Sequence, residues 1–181
     1  MKKFVMATTL GTAALVANAP STHAADETAA VYVQGMGGSL SNNAGQSAGG
    51  LGFQAGAQLL FLEVYGSQTV FTGDSTISRA VIGPYLDFNI GSWELSLHAG
   101  VGGIRGTGGA LLGNDFSGTQ QGGVARLGAT FEHDLGPFFV LGVSLDGESF
   151  AVKPPDSPVD DKWKTGSSVF LSGHLKFELG I

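Results

Sequence analysis

The sequence predicts an all-β chain that closes into an up-and-down antiparallel transmembrane β-barrel of about eight strands. Three observations carry this. Long segments alternate apolar and polar residues with a period of two, the charges in those segments keep to one face, and a leader for export is followed by no run long enough for a spanning helix.

The leader comes first in the chain. Lys2 and Lys3 precede an uncharged, largely apolar run from Phe4 to Ala19 that is too short for a membrane span, and small residues follow. Thr22-His23-Ala24 offers a cut before Ala25 that avoids Pro20, so residues 1–24 are expected to be a signal peptide and 25–181 a single barrel domain. The net charge is −6 and becomes more negative when Lys2 and Lys3 leave, which argues against nucleic acid or an anionic surface as a partner. Cysteine is absent, which excludes disulfides, thiolate metal sites and an N-terminal lipid anchor. Only 13% of the residues are charged, too few for an ordinary water-exposed surface, and 30 glycines disfavour helix.

The alternation is clearest in the second half. Ala80, Ile82, Pro84, Leu86, Phe88 and Ile90 share one face of a strand; Gly91-Ser92 turns the chain, and Trp93, Leu95, Leu97, Ala99 and Val101 continue the apolar series. A second hairpin joins Ala125, Leu127, Ala129 and Phe131 to Phe139, Leu141, Val143 and Leu145 through a turn centred near 135. A last strand carries Val169, Leu171, Gly173, Leu175, Phe177, Leu179 and Ile181. Nine charges fall on these five strands: Arg79, Asp87, Glu94, Arg126, Glu132, Asp146, Glu148, Lys176 and Glu178. All take the opposite face. A soluble sandwich or lipocalin-like barrel would reverse the faces, but its outer surface would then be mostly Gly, Ser and Val, so a lipid-facing apolar exterior fits better. Three further strands are expected at about 30–38, 49–57 and 59–71. The long loops then lie at about 39–48, 105–121 and 151–166, and short turns near 58, 91 and 135, with one short outer loop at Gly73-Asp74-Ser75-Thr76. Phe88, Trp93, Phe131, Phe138, Phe139 and Phe177 are expected to form an aromatic girdle at the short-turn end, and Phe71, Phe150 and Phe170 a thinner one at the loop end. Pro84 removes a ladder donor, so a bulge is expected there.

This pattern resembles the small eight-stranded bacterial outer-membrane barrels, such as the membrane domain of outer-membrane protein A and outer-membrane protein X. The resemblance spans 25–181 and implies an integral protein of the bacterial outer membrane. The chain departs from that class in ending on Ile181, where its members end on an aromatic residue read by the assembly machinery.

Eight strands leave room only for inward side chains, so interior charges must be paired. With the turn centred near 135, Arg126 falls opposite about Ser144, and Arg126 with Asp146 or Glu148 is the expected internal ion pair. Lys176 is the counter-charge for a group of acids, Asp87, Glu94, Glu132 and Glu178, expected at a watered mouth. Inward Gly83, Gly100, Gly102, Gly128 and Gly142 raise the alternative of a narrow channel for ions or small solutes. A lipid-modifying enzyme is weaker still. Ser172 and His174 share a face, but that face is the lumen, and His98 with His174 lacks a third metal ligand. The sequence therefore implies no catalytic residue, cofactor or metal. Function is expected in envelope structure or in loops presented to a surface or periplasmic protein, with Trp163 as the candidate loop contact and outer-membrane lipid as the surrounding partner. Asp160-Asp161 lack the pattern of a calcium loop.

Overall fold

The computed structural model describes residues 29–42, 47–108, 111, 118–153 and 163–180. Within them lie eight strands: β1 (Ala29–Asn42), β2 (Ser47–Leu59), β3 (Leu62–Phe71), β4 (Ser75–Ile90), β5 (Trp93–Thr107), β6 (Gln120–Asp134), β7 (Phe139–Lys153) and β8 (Lys164–Gly180). Each pairs antiparallel with its sequence neighbour and β8 returns to β1, which closes the barrel and leaves no free sheet edge. The expected leader and Ile181 lie outside the described residues. Among the described residues no helix is long and apolar enough to cross a membrane.

The closure is strongly staggered. The register followed round the barrel from Ala30 through Gln58, Glu63, Gly83, Gly100, Arg126, Glu148 and Ser168 returns to β1 at Asn42, twelve residues further on, Gly83 and Gly100 standing opposite in register where the ladder itself is interrupted. Such a shear tilts the strands and widens the bore enough for long side chains to cross it.

Most strands run further toward the loops than the sequence pattern indicates. The segments 39–42, 47–48, 75–78, 103–107, 120–124 and 164–168 are strand, so the loops expected at 39–48, 105–121 and 151–166 are shorter. Outward positions there are small, such as Gly103, Gly123 and Ser167, so the apolar alternation fades while backbone pairing continues. The turns also move. The first lies at Leu60-Phe61, and that between β6 and β7 centres on Pro137, with Leu135 N donating to Phe139 O at 2.8 Å. Arg126 consequently faces Glu148, not Ser144. The Gly91-Ser92 turn stands as expected, Gly91 taking the left-handed φ of 68° that a two-residue hairpin requires.

No bulge forms at Pro84. The register is continuous from Ile82–Val101 to Tyr85–His98, and the ladder merely skips Gly83 and Pro84, where a donor is missing. Pro84 is tolerated because it pairs with Leu62, the first residue of β3, and Tyr85 N then bonds Phe61 O at 2.9 Å.

Large apolar side chains point outward along every strand, among them Val33, Leu51, Val64, Ile82, Leu97, Leu127, Leu145 and Leu171. At the short-turn end Phe88, Trp93, Phe131, Phe138, Phe139 and Phe177 are exposed, Trp93 stacking on Phe131 at 4.8 Å and Phe139 meeting Phe177 at 5.5 Å. The thin girdle expected at the loop end is absent: Phe71, Phe150 and Phe170 are buried in the lumen. All three fall in the inward series of their strands, Phe150 with Glu148 and Phe170 with Ser168, and parity outranks height in deciding where they point.

Candidate functional site

The alternation that sends apolar residues outward delivers charged and polar residues to one axis. They meet in three tiers. At the short-turn side, Lys176 Nζ on β8 lies 2.7 Å from Glu132 Oε2 on β6 and 2.7 Å from Glu178 Oε2, while His174 Nε2 donates to Glu132 Oε1 at 2.7 Å. Across the lumen Tyr32 Oη donates to Glu63 at 2.5 Å and accepts from Gln54 Nε2 at 2.8 Å. In the middle tier Arg126 grips Asp146 with two nitrogens, a hydrogen bond from Nε at 2.9 Å and an ion-pair contact from Nη2 at 2.7 Å, and Nη1 donates to the Tyr65 hydroxyl. His98 Nε2 shares the same carboxylate at 2.6 Å. Above them Arg79 clasps Glu148 through Nε at 2.6 Å and Nη2 at 2.9 Å, and Ser168 Oγ adds a donor at 3.2 Å.

The structure thus divides the acids between two arginines. Arg126 binds Asp146, one position diagonal to the Glu148 it faces, because Glu148 is held by Arg79 on β4. The pairing of Arg79 with Glu148 leaves no signal in the sequence, since β4 and β7 are far apart in the chain and meet only across the lumen. Glu132 is buried at 5% exposure and does not belong to a watered mouth; Lys176 and His174 both bond it, and the Tyr32 ring lies 5.8 Å from Lys176 Nζ. Asp87 is exposed and Glu94 half-buried at that end.

Inward glycines serve this network. A Cβ on Gly128 would lie 2.0 Å from Asp146 Oδ1 and 2.4 Å from His98 Nε2, and one on Gly142 would lie 2.5 Å from His174 Nε2. Their emptiness is filled by neighbouring long polar side chains, so they do not open the channel considered from the sequence. The lumen cavity between Tyr32, Glu63, Tyr85, His98 and Lys176 has a volume of about 40 Å³, and a second, against Arg79 and Asp146, about 10 Å³. The larger has room for a few waters only.

The loop-end half is apolar. Phe71, Phe150 and Phe170 fill it with Ile77, Ile104 and Val152, and Phe71 meets Phe170 edge-on at 6.2 Å. Leu111, from the connection between β5 and β6, is fully buried against Gly106, where a Cβ would come 2.6 Å from Leu111 Cγ. The loop expected at 105–121 thus gives Leu111 to the apolar interior.

Ser144, His174 and Glu132 stand in the order of nucleophile, base and orienting acid, with Ser144 Oγ 3.3 Å from His174 Nδ1 and His174 on Glu132. The hydroxyl facing His174 is thus that of Ser144 and not Ser172. The trio borders the cavity of about 40 Å³, too small for an acyl substrate, and Ser144 is also tied to Thr130 Oγ1 at 3.1 Å. Among the described residues no group of three His, Cys, Asp or Glu side chains is placed to hold a metal. Trp163 is exposed at the loop end, with Lys153 Nζ 5.5 Å from its ring centre. Asp160 and Asp161 lie outside the described residues.

No protein-family model matches the chain, and no curated protein matches it by sequence. Solved structures do. The crystal structure of Neisserial surface protein A superposes with a TM-score of 0.59 at 14% identity, covering 83% of this chain and 96% of that one. Ail, the attachment invasion locus protein of Yersinia pestis, is similar over 84% of this chain and 99% of its own, at 17% identity and a TM-score of 0.41. The closed ring of eight strands, the apolar exterior and the polar lumen give this chain the fold of the eight-stranded outer-membrane β-barrels.

Proposed function

We propose that the protein is a non-enzymatic component of the outer membrane, a rigid barrel that contributes to envelope structure and presents its loop end to a surface partner. The observation that carries this reading is the filled lumen: three tiers of paired charges, then an apolar plug, with cavities too small to pass or process a solute. Among the described residues neither a diffusion path nor a substrate cleft accompanies the polar groups. Rigid barrels with variable connections place recognition in the loops, here 108–119 and 154–163, whose strand ends Arg105, Lys153 and Trp163 frame them.

Residues 1–24 are proposed to direct export and to be removed after Ala24. The intact mass of the membrane-extracted protein tests this, a start at Ala25 being expected. Fractionation tests the role itself. The mature chain is expected in the outer membrane with heat-modifiable gel migration, and protease cuts on whole cells confined to 108–119 and 154–163. Recovery in the soluble periplasm, or stepwise conductance in planar bilayers, would overturn the reading.

A further inference from the structure

Gln68 breaks the outward apolar series of β3. That series reads Leu62, Val64, Gly66, Gln68 and Val70, all exposed. The carboxamide therefore lies inside the apolar belt, with Val70 and its register partner Leu51 beyond it toward the loops and Phe53 beside it on β2. Among the described residues the Gln68 side chain has no hydrogen-bond partner, although Ser78 stands opposite it on β4. In hydrocarbon no water replaces a missing partner, so an unpaired amide there is unfavourable and calls for a polar group from outside the barrel.

Beside the amide the wall is hollow. Ala55, Gly66 and Ala80 stand in one row across β2, β3 and β4, between the bulky outward side chains Phe53, Val64, Val70 and Ile82. Nothing within the barrel requires the glycine at 66. Its φ is not left-handed, and an added Cβ would meet only Arg79 O, at an ordinary 3.8 Å. At Gly102 and Gly122, by contrast, a neighbouring carbonyl oxygen lies 1.9 Å from that position. The missing side chain at Gly66 thus serves an approach from the lipid side, as small residues do where membrane segments pack closely.

We propose that this face of β2–β4 docks a second copy of the barrel about a two-fold axis along the membrane normal, the Gln68 carboxamides of the two copies donating to one another. Polar complementarity selects this occupant. Such an axis keeps every residue at its own depth, so the amide meets its like. A carboxamide carries both donor and acceptor and is complementary to itself, which a charged group is not. The hollow at Ala55, Gly66 and Ala80 lets the two walls come near enough for the amides to reach each other. The contact closes at two barrels, because the same patch is used on both. It goes beyond the loop-display role and depends only on the barrel lying in the outer membrane.

The chain has no cysteine, so a single introduced one reports its own neighbour. Val70→Cys, the outward position next to Gln68, is expected to give a disulfide-linked product of twice the barrel mass on oxidation of intact outer membranes. Val143→Cys, outward on β7 at the other side of the barrel, is expected to give none. Energy transfer between two pools of mature protein in lipid vesicles, dye-labelled at Val143→Cys, measures the association. Gln68→Leu is expected to weaken it about tenfold, as loss of two reciprocal hydrogen bonds between membrane segments does. Gly66→Leu fills the hollow and is expected to weaken it with the amide intact. Linkage at 70 no greater than at 143 overturns the proposal, as does association unchanged in Gln68→Leu. A linked product of another mass overturns it in favour of a different membrane protein, and single barrels retaining a lipid in native mass spectrometry in favour of lipid. Heat-modifiable migration of each variant, read in parallel, shows whether the barrel itself is intact, so failure of the pair and failure of the outer-membrane reading are distinguishable.

Discussion

The two halves of the lumen solve one packing problem by opposite means. Toward the short turns the bore is spanned by long charged side chains reaching from non-neighbouring strands, Arg79 to Glu148 over 69 residues and Lys176 to Glu132 over 44. Toward the loops it is packed with Phe71, Phe150, Phe170 and their aliphatic neighbours. The difference follows from what each can tolerate. A buried charge needs a partner at a fixed place, so the polar half specifies which strands face one another; the apolar half needs only volume and excludes water from the pairs below it.

Removing one member of the polar half is therefore expected to have the largest effect. Asp146→Ala strands the Arg126 guanidinium and the His98 imidazole together, and a loss of about 3–5 kcal/mol is expected from urea unfolding in detergent or vesicles. Replacing both partners, Arg126→Met with Asp146→Leu, is expected to recover most of that loss; if it does not, the pairing is not what Asp146 contributes. Phe170→Ala leaves a cavity beside Phe71 and is expected to cost about 3 kcal/mol, at the lower end for a large aromatic because the open loop end lets neighbours relax. The plug and the tiers also separate by conductance. Phe71→Ala combined with Phe150→Ala and Phe170→Ala is expected to stay silent in planar bilayers, because the tiers still block the bore; conductance in that variant would make the plug the sole seal. Ser144→Ala is expected to cost under about 1 kcal/mol, since His174 keeps its bond to Glu132; a loss as large as that of Asp146→Ala would place Ser144 at the centre of the tier.

Much of this architecture was legible in the chain. Period-two alternation locates the strands of the second half, and the shared parity of the nine charges assigns Arg126, Asp146, Glu148, Lys176 and Glu178 to one face. Positions of small residues were not legible. Gly103, Gly123 and Ser167 carry no apolar signal, so the strand ends there read as loop although the ladder runs on. Phe71, Phe150 and Phe170 misled for another reason: height in the membrane suggested a girdle, whereas the parity each shares with a lumen residue decided its direction.

The sequence by itself determined the class of fold and which side chains face in, because a strand has only two faces and a lipid exterior admits few charges. Tertiary structure alone decided who meets whom. Shear and turn position set the register, and they put Arg79 against Glu148, Asp146 between Arg126 and His98, and Gly66 in one row with Ala55 and Ala80. Such contacts join strands distant in the chain or depend on where a turn is centred, and a shift of a few residues in one turn redistributes them all.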